Sequence, residues 1–316
     1  MEQKEMAKTR LIIYVLMAYG LTYLMGILMW YGSTRGYDLT VFPTAQMMYP
    51  AAGFFITVLA TTGVLIVLAL LSVFLPVNDL NIAGMTMSVY NLISQYILII
   101  GSIVALVFLA VAGNEKRAAA GLTRQNWKSA VLIVLAFVGI YIVRTVVSVA
   151  VQGVSDGSGM QHVKEWAAMF KNPMMWLNIA ALPINYFFVF IAFFGEEYGW
   201  RYYLQPVLQK RFGLRAGVII LGIVWGLWHI PDDLFYYTQT SGIQMIFAQQ
   251  ITCISLGIFF AYAYMKTQNI WVPVCLHYLN NNLIPIISGT FSADVLENQT
   301  VSWKDLPVAL VLNGLC

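Results

Sequence analysis

Two adjacent glutamates, Glu196 and Glu197, close an otherwise apolar and aromatic run, "WLNIAALPINYFFVFIAFF", and Arg201 follows four residues after the second of them. Of the fourteen Asp and Glu residues, these two fall inside an apolar helical segment, while the others sit in connections, turns or tails. A charge at membrane depth costs at least about 2.5–3.5 kcal/mol on insertion scales, so such residues are functional candidates unless the helix simply ends at Gly195. On a helix, Glu197 and Arg201 stand at i and i+4 and meet on one face, while Glu196 is turned about 100° away. The pattern suggests a division of labour, in which Arg201 neutralises and anchors Glu197 and Glu196 remains free for chemistry.

Two histidines carry matching signals. His229 closes the run "VIILGIVWGLWHIP", and His277 lies in "WVPVCLHYLNNNLIP" with Asn281 one helical turn later; His162, in a polar connection, is expected to be incidental. Glu196 lies 16 residues before Phe212 and His229 lies 16 residues after Gly213, on either side of the polar break "QKRFGLR". An antiparallel hairpin turning there sets the two side chains at equal depth, ~24 Å from the turn along straight helices, with Pro206 expected to bend the first arm. Such a set suits hydrolysis. Glu196 with His229 would hold and deprotonate a water, and His277 with Asn281 would donate hydrogen bonds to the oxyanion of a tetrahedral intermediate. Alternatively, Glu196, His229 and His277 would bind a zinc ion that activates the water, in the three-ligand catalytic pattern. The H-E-x-x-H and G-x-S-x-G signatures are both absent. Asp232 and Asp233, just past His229, are expected to mark a solvated helix end, with a role at the substrate entrance as the alternative. Arg144, inside "GIYIVRTVVSV", is expected to snorkel or to pair with a helix end.

The elements that must position these residues are legible in the composition. The 316-residue chain is 60% hydrophobic and 10% charged, with a mean hydropathy of +0.74, whereas a soluble domain carries about a quarter charged residues. The expectation is an all-α, polytopic transmembrane bundle of about eight helices. The candidate spans are 11–30, 51–75, 89–112, 130–152, 176–206, 214–230, 244–265 and 272–290. No linker divides it, so residues 1–316 read as one integral membrane domain, with a catalytic core at 180–290. A net charge of +3 without a long basic run gives no support to nucleic acid as a partner. Cys253, Cys275 and Cys316 form neither a metal-type nor a disulfide framework. Counting Lys and Arg over alternating connections leans towards an N-terminus outside the cytoplasm, although Lys4, Lys8 and Arg10 argue the other way.

The segments "EEYGWR" at 196–201, "WGLWH" at 225–229 and "HYLNN" at 277–281 resemble the motifs of the CPBP family, also called the Abi or type II CAAX prenyl protease family. Those motifs are E-E-x-x-x-R, an aromatic-x-x-x-H, and H-x-x-x-N or a close variant, in this order. Glu196, Glu197, Arg201, Trp225, His229, His277 and Asn281 stand at the matching positions, with Trp225 where phenylalanine is common. The stretches "GWRYYLQP", "WHIP" and "WVPVCLH" are similar to bacterial members in particular. The resemblance covers about residues 180–290. It implies an eight-helix intramembrane endopeptidase, glutamate- or metal-dependent, in a bacterial cell membrane. It further implies that the first glutamate and a histidine activate water, and that the second histidine and the asparagine stabilise the oxyanion. The implied substrate is a membrane-associated peptide or protein, either prenylated and CAAX-like or of the bacteriocin type. Two rival readings of the same residues are a proton-coupled transporter and a non-catalytic membrane scaffold.

Overall fold

The computed structural model describes residues 2–82, 85–155, 157, 161–288 and 299–314, and Cys316 lies outside the described residues. The chain is almost wholly helical. Helix α1 (Glu2–Val15) runs through a π-helical turn (Leu16–Gly20) into α2 (Leu21–Ser33). Short α3 (Val41–Gln46) and a 3-10 turn (Tyr49–Ala51) lead to α4 (Ile56–Phe74). A small antiparallel hairpin, β1 (Leu80–Ile82) with β2 (Met85–Met87), precedes α5 (Val89–Val111), α6 (Asn114–Ala119), α7 (Trp127–Ser155) and α8 (Gln161–Met169). Then come α9 (Pro173–Glu197), a π-helical segment (Tyr198–Leu204), α10 (Gln205–Phe212), α11 (Leu214–Trp228) and α12 (Ile230–Phe235). Helices α13 (Gly242–Thr267), α14 (Trp271–Ser288) and α15 (Asp305–Asn313) complete the described chain.

Local chemistry sets several boundaries. Ser88 caps α5 by accepting the Asn91 N–H at 3.0 Å, and Asn172 caps α9 by accepting that of Met174 at 2.9 Å, with Pro173 following at the first helical position. Gly213 has φ +86°, a left-handed conformation that a glycine adopts without a Cβ clash, so the chain reverses between α10 and α11 there.

Among the described residues, seven helical stretches are long and apolar enough to cross a membrane: Glu5–Ser33, Ile56–Phe74, Val89–Val111, Trp127–Val151, Pro173–Phe212, Leu214–Phe235 and Gly242–Thr267. Large apolar side chains such as Ile27, Ile100, Leu132 and Ile184 lie exposed along them, as a lipid-facing surface requires. The protein is therefore a polytopic helical bundle, integral to the membrane and multi-pass. The expected eighth span, 272–290, forms helix α14, but its His277, Asn280, Asn281 and Asn282 keep it out of that apolar class. Residues 289 and 290 of that span lie outside the described residues. Helix α14 instead packs inside the bundle against α9, α7 and α13.

The connection read from sequence as 31–50 is more than a loop. Val41, Phe42, Ala45, Met48, Tyr49 and Ala51 are all buried, and Gln46 donates its side-chain N–H to the Trp228 carbonyl at 3.1 Å. This stretch enters the bundle from the end where residues 36–40 line a polar vestibule with 76–79 and 86–88. It leaves towards the opposite end, where Phe54 packs on Tyr14 and Tyr203. The extra re-entry corrects the orientation derived from loop counting, because it puts the N-terminus at the same end as the 113–129, 207–215 and 266–271 connections. That end holds Lys4, Lys8, Arg10, Lys116, Arg117, Arg124, Lys128, Lys210, Arg211, Arg215 and Lys266; the other holds Arg35, Lys164, Lys171 and Lys304. The Lys and Arg residues therefore cluster at the end that holds the N-terminus.

Candidate active site

The apolar run of α9 continues unbroken through Gly195 to both glutamates. A Cβ on Gly195 would stand 2.6 Å from the Met47 carbonyl oxygen, so only glycine lets α9 lie this close to the re-entrant segment. Glu196 is 2% exposed and Glu197 is fully buried, which excludes a helix that ends into water at Gly195. Directly after them the helix widens into the π-helical segment, in which the Gln205 N–H reaches the Trp200 carbonyl five residues back. A π-turn holds more residues per turn and is frequent at functional sites.

Both oxygens of Glu197 are engaged. Arg201 Nε donates to Oε2 at 2.8 Å, and His277 Nδ1, arriving from α14, donates to Oε1 at 2.9 Å. The Arg201 guanidinium lies 5.0 Å above the Trp225 ring and 5.6 Å from the Phe260 ring centroid, within cation–π range. Glu197 and Arg201 thus form a fully buried pair that ties α9 to α14 and faces α11 and α13.

Glu196 has a different neighbour. Its Oε2 accepts the Trp225 indole N–H at 3.0 Å, leaving its second oxygen for other partners. One turn further along, His229 Nδ1 lies 2.9 Å from the Trp225 carbonyl. A carbonyl can only accept, so Nδ1 carries the hydrogen and Nε2 of the neutral ring keeps its lone pair. Trp225 therefore links both groups. Glu196 is thus hydrogen-bonded to Trp225, one helical turn before His229, rather than to His229 itself. Both side chains nevertheless line one cavity of about 400 Å³.

The same cavity is lined by His277 and Asn281, so Glu196, His229, His277 and Asn281 share one space, whereas Glu197 and Arg201 stand behind it. Asn281 sits on its open side and accepts the Asn280 side-chain N–H at 2.8 Å, while Asn280 accepts the Tyr141 hydroxyl at 2.7 Å. Pro43, Thr44 and Met47 of the re-entrant segment also line it. Tyr236 is common to this cavity and to the polar vestibule of about 880 Å³ at the end poor in basic residues.

Among the described residues no three His, Cys, Asp or Glu side chains are grouped closely enough to hold a metal ion. The hydrogen bonds of Glu196, His229 and His277 use one carboxylate oxygen and the two Nδ1 atoms.

Three further expectations are decided. Asp232 and Asp233 are not at a solvated helix end. After a single-residue break at His229 the chain re-enters a helix, α12, which packs against α2 and α13 and buries both carboxyls. Asp232 Oδ1 and both oxygens of Asp233 find no hydrogen-bond partner among the described residues, and each such buried atom costs about 1–3 kcal/mol. Arg144 lies half-buried on α7, 5.1 Å over the Tyr141 ring, and does not line the cavity. His162, on α8, lies 3.6 Å from Glu165.

Two residues of the site escaped the sequence reading in their roles. Trp225 was visible as an aromatic at a motif position, but its bonds to Glu196 and His229 depend on which way the indole points. Asp232 was masked by its place after a Trp-His-Ile-Pro turn, where a solvated helix start is the common outcome.

Comparison with known proteins bears on this same region. Residues 178–283 match the family model described as type II CAAX prenyl endopeptidase Rce1-like. The chain is similar to a CAAX prenyl protease 2 of Methanococcus maripaludis, with 28% identity over 125 residues, covering 37% of this chain and 45% of that protein. The chain thus aligns with less than half the length of that relative. No solved structure matches it.

Proposed function

We propose that this chain, whose residues 178–283 match the type II CAAX prenyl endopeptidase model, is an intramembrane endopeptidase. The observation that carries the reading is one cavity inside an apolar bundle, lined by Glu196, His229, His277 and Asn281. A water held between the second oxygen of Glu196 and His229 Nε2 gives up a proton to the carboxylate as its oxygen attacks the substrate carbonyl carbon. The oxyanion that forms accepts hydrogen bonds from the Asn281 amide and from His277, whose ring can carry a second proton at Nε2 while Glu197 accepts at Nδ1. Collapse breaks the C–N bond, and the proton passes to the leaving nitrogen. Arg201 and Glu197 touch no substrate and act by holding His277. In this reading the residues activate the water directly, and the alternative is activation by a zinc ion held by Glu196, His229 and His277.

The substrate is a membrane-associated peptide or protein, of the prenylated CAAX type or the bacteriocin type, in a bacterial cell membrane. The vestibule next to the cavity lies at the end poor in Lys and Arg, which favours a peptide presented on the non-cytoplasmic side.

The test is cleavage of candidate membrane peptides of both types by the purified protein in detergent. Glu196→Gln and His229→Ala are expected to lose cleavage while keeping the wild-type unfolding temperature within a few degrees. Normal cleavage by both variants refutes the mechanism.

A further inference from the structure

The hydrolytic steps leave Asp232 unused. It is 2% exposed, lines the same cavity as Glu196 and His229, and its Oδ1 has no hydrogen-bond partner among the described residues. Its backbone is firmly held. The Asp233 N–H donates to the His229 carbonyl at 2.9 Å, and the N–H groups of Tyr236 and Tyr237 both donate to the Asp232 carbonyl at 2.9 Å. The carboxyl is thus fixed one helical turn from His229, on a short helix with little freedom to turn it away. No Lys or Arg lines the cavity among the described residues, and Arg201, which stands behind it, gives its Nε to Glu197 and lies against the rings of Trp225 and Phe260. Tyr236 and Tyr237, which also line the space, add aromatic faces of the kind that attract cations.

A purely apolar substrate residue in this space would leave Asp232 without a partner. An ammonium or guanidinium would bring both a compensating charge and several N–H donors, the combination that makes the strong hydrogen bonds of desolvated sites. We propose that Asp232 forms a specificity subsite for a basic side chain, lysine or arginine, flanking the scissile bond of the substrate. The inference rests on reading the cavity as a peptidase site, and it narrows the substrates to peptides with a cationic residue beside the bond that is cut.

The experiment uses the purified full chain and membrane-anchored peptides identical except at the two positions flanking the cut. Each position carries in turn Lys, Arg, norleucine or Glu, and kcat/KM is measured for each. The wild type is expected to prefer Lys or Arg over norleucine by about tenfold or more at one position, as for a charged hydrogen bond in a desolvated site, and to reject Glu. Asp232→Asn is expected to compress the Lys-to-norleucine ratio to about twofold, and Asp232→Glu to retain part of it. Equal kcat/KM for Lys and norleucine peptides in the wild type overturns the subsite, and this comparison does not depend on any variant folding. An unchanged ratio in a folded Asp232→Asn variant overturns it as well. Failure of the wild type to cleave any peptide of the set instead overturns the peptidase reading, and the subsite with it.

Discussion

Replacing Trp225 with phenylalanine isolates one contact of the site. Trp225 does three things: its indole N–H donates to Glu196 at 3.0 Å, its ring lies under the Arg201 guanidinium at 5.0 Å, and its carbonyl faces His229 Nδ1 at 2.9 Å. Of these three contacts, phenylalanine keeps an aromatic face for the cation and the carbonyl, and loses the N–H. A hydrogen bond to a charged group contributes about 1.5–3 kcal/mol. If that bond holds the Glu196 carboxylate where it takes the proton from water, kcat should fall about 10- to 150-fold, at about 1.4 kcal/mol per tenfold. The lost volume should also lower stability by about 1–2 kcal/mol, less than a full truncation to alanine. The assay is steady-state cleavage of one membrane peptide in detergent, with thermal unfolding of the same preparation as the control for folding. A kcat within about twofold of wild type would show that the indole does not position Glu196, and a raised kcat would show that it restrains the base; either refutes the reasoning. Phenylalanine is common at this position in the family the motifs resemble, so the variant also asks whether this chain has come to depend on its indole.

Two further outcomes follow from the same geometry. Arg201→Ala leaves Glu197 buried without its cation and should destabilise the protein by about 3–5 kcal/mol, read as a lower unfolding temperature; Arg201→Lys should recover only part of this, because an ammonium lacks the planar face that lies on Trp225 and Phe260. Prolonged treatment with a strong chelator should leave peptide cleavage unchanged, and elemental analysis should find no stoichiometric metal; loss of activity restored by zinc would return Glu196, His229 and His277 to the role of ligands.

Much of this site can be read from residue type and spacing. The Glu197–Arg201 pair follows from helical periodicity and survives the change from α to π geometry, since four residues still bring the two side chains together. The co-location of Glu196 with His229 follows from a polar break midway between them, because a helical hairpin in a membrane has little choice but to fold back there. The partners of each oxygen were not legible. Glu197 was paired with Arg201 alone, while His277, 80 residues away, occupies its other oxygen. Such a contact depends on the rotation of α14 about its own axis, which a polar stripe on a helix does not specify.

The orientation and the acidic end of the cavity show the same division. Hydropathy marks what must leave water, so the apolar spans were visible without a structure, and their lengths were set by the hydrocarbon they cross. It does not mark a short segment that enters the bundle and is sheltered by protein. Residues 41–50 read as part of a loop and turned out to be packed beneath Glu196, which changed the connections that share an end with the N-terminus. It is equally blind to Asp232 and Asp233, because a carboxylate after a helix-ending proline looks solvated from its neighbours in sequence. The amino-acid sequence by itself determined that Glu196, Glu197, His229 and His277 belong to apolar segments and that Glu197 and Arg201 lie one turn apart, since both follow from solvation and from a fixed helical repeat. Only the tertiary structure decided which buried groups face each other and which are left without a partner, since that depends on how separate helices rotate and pack.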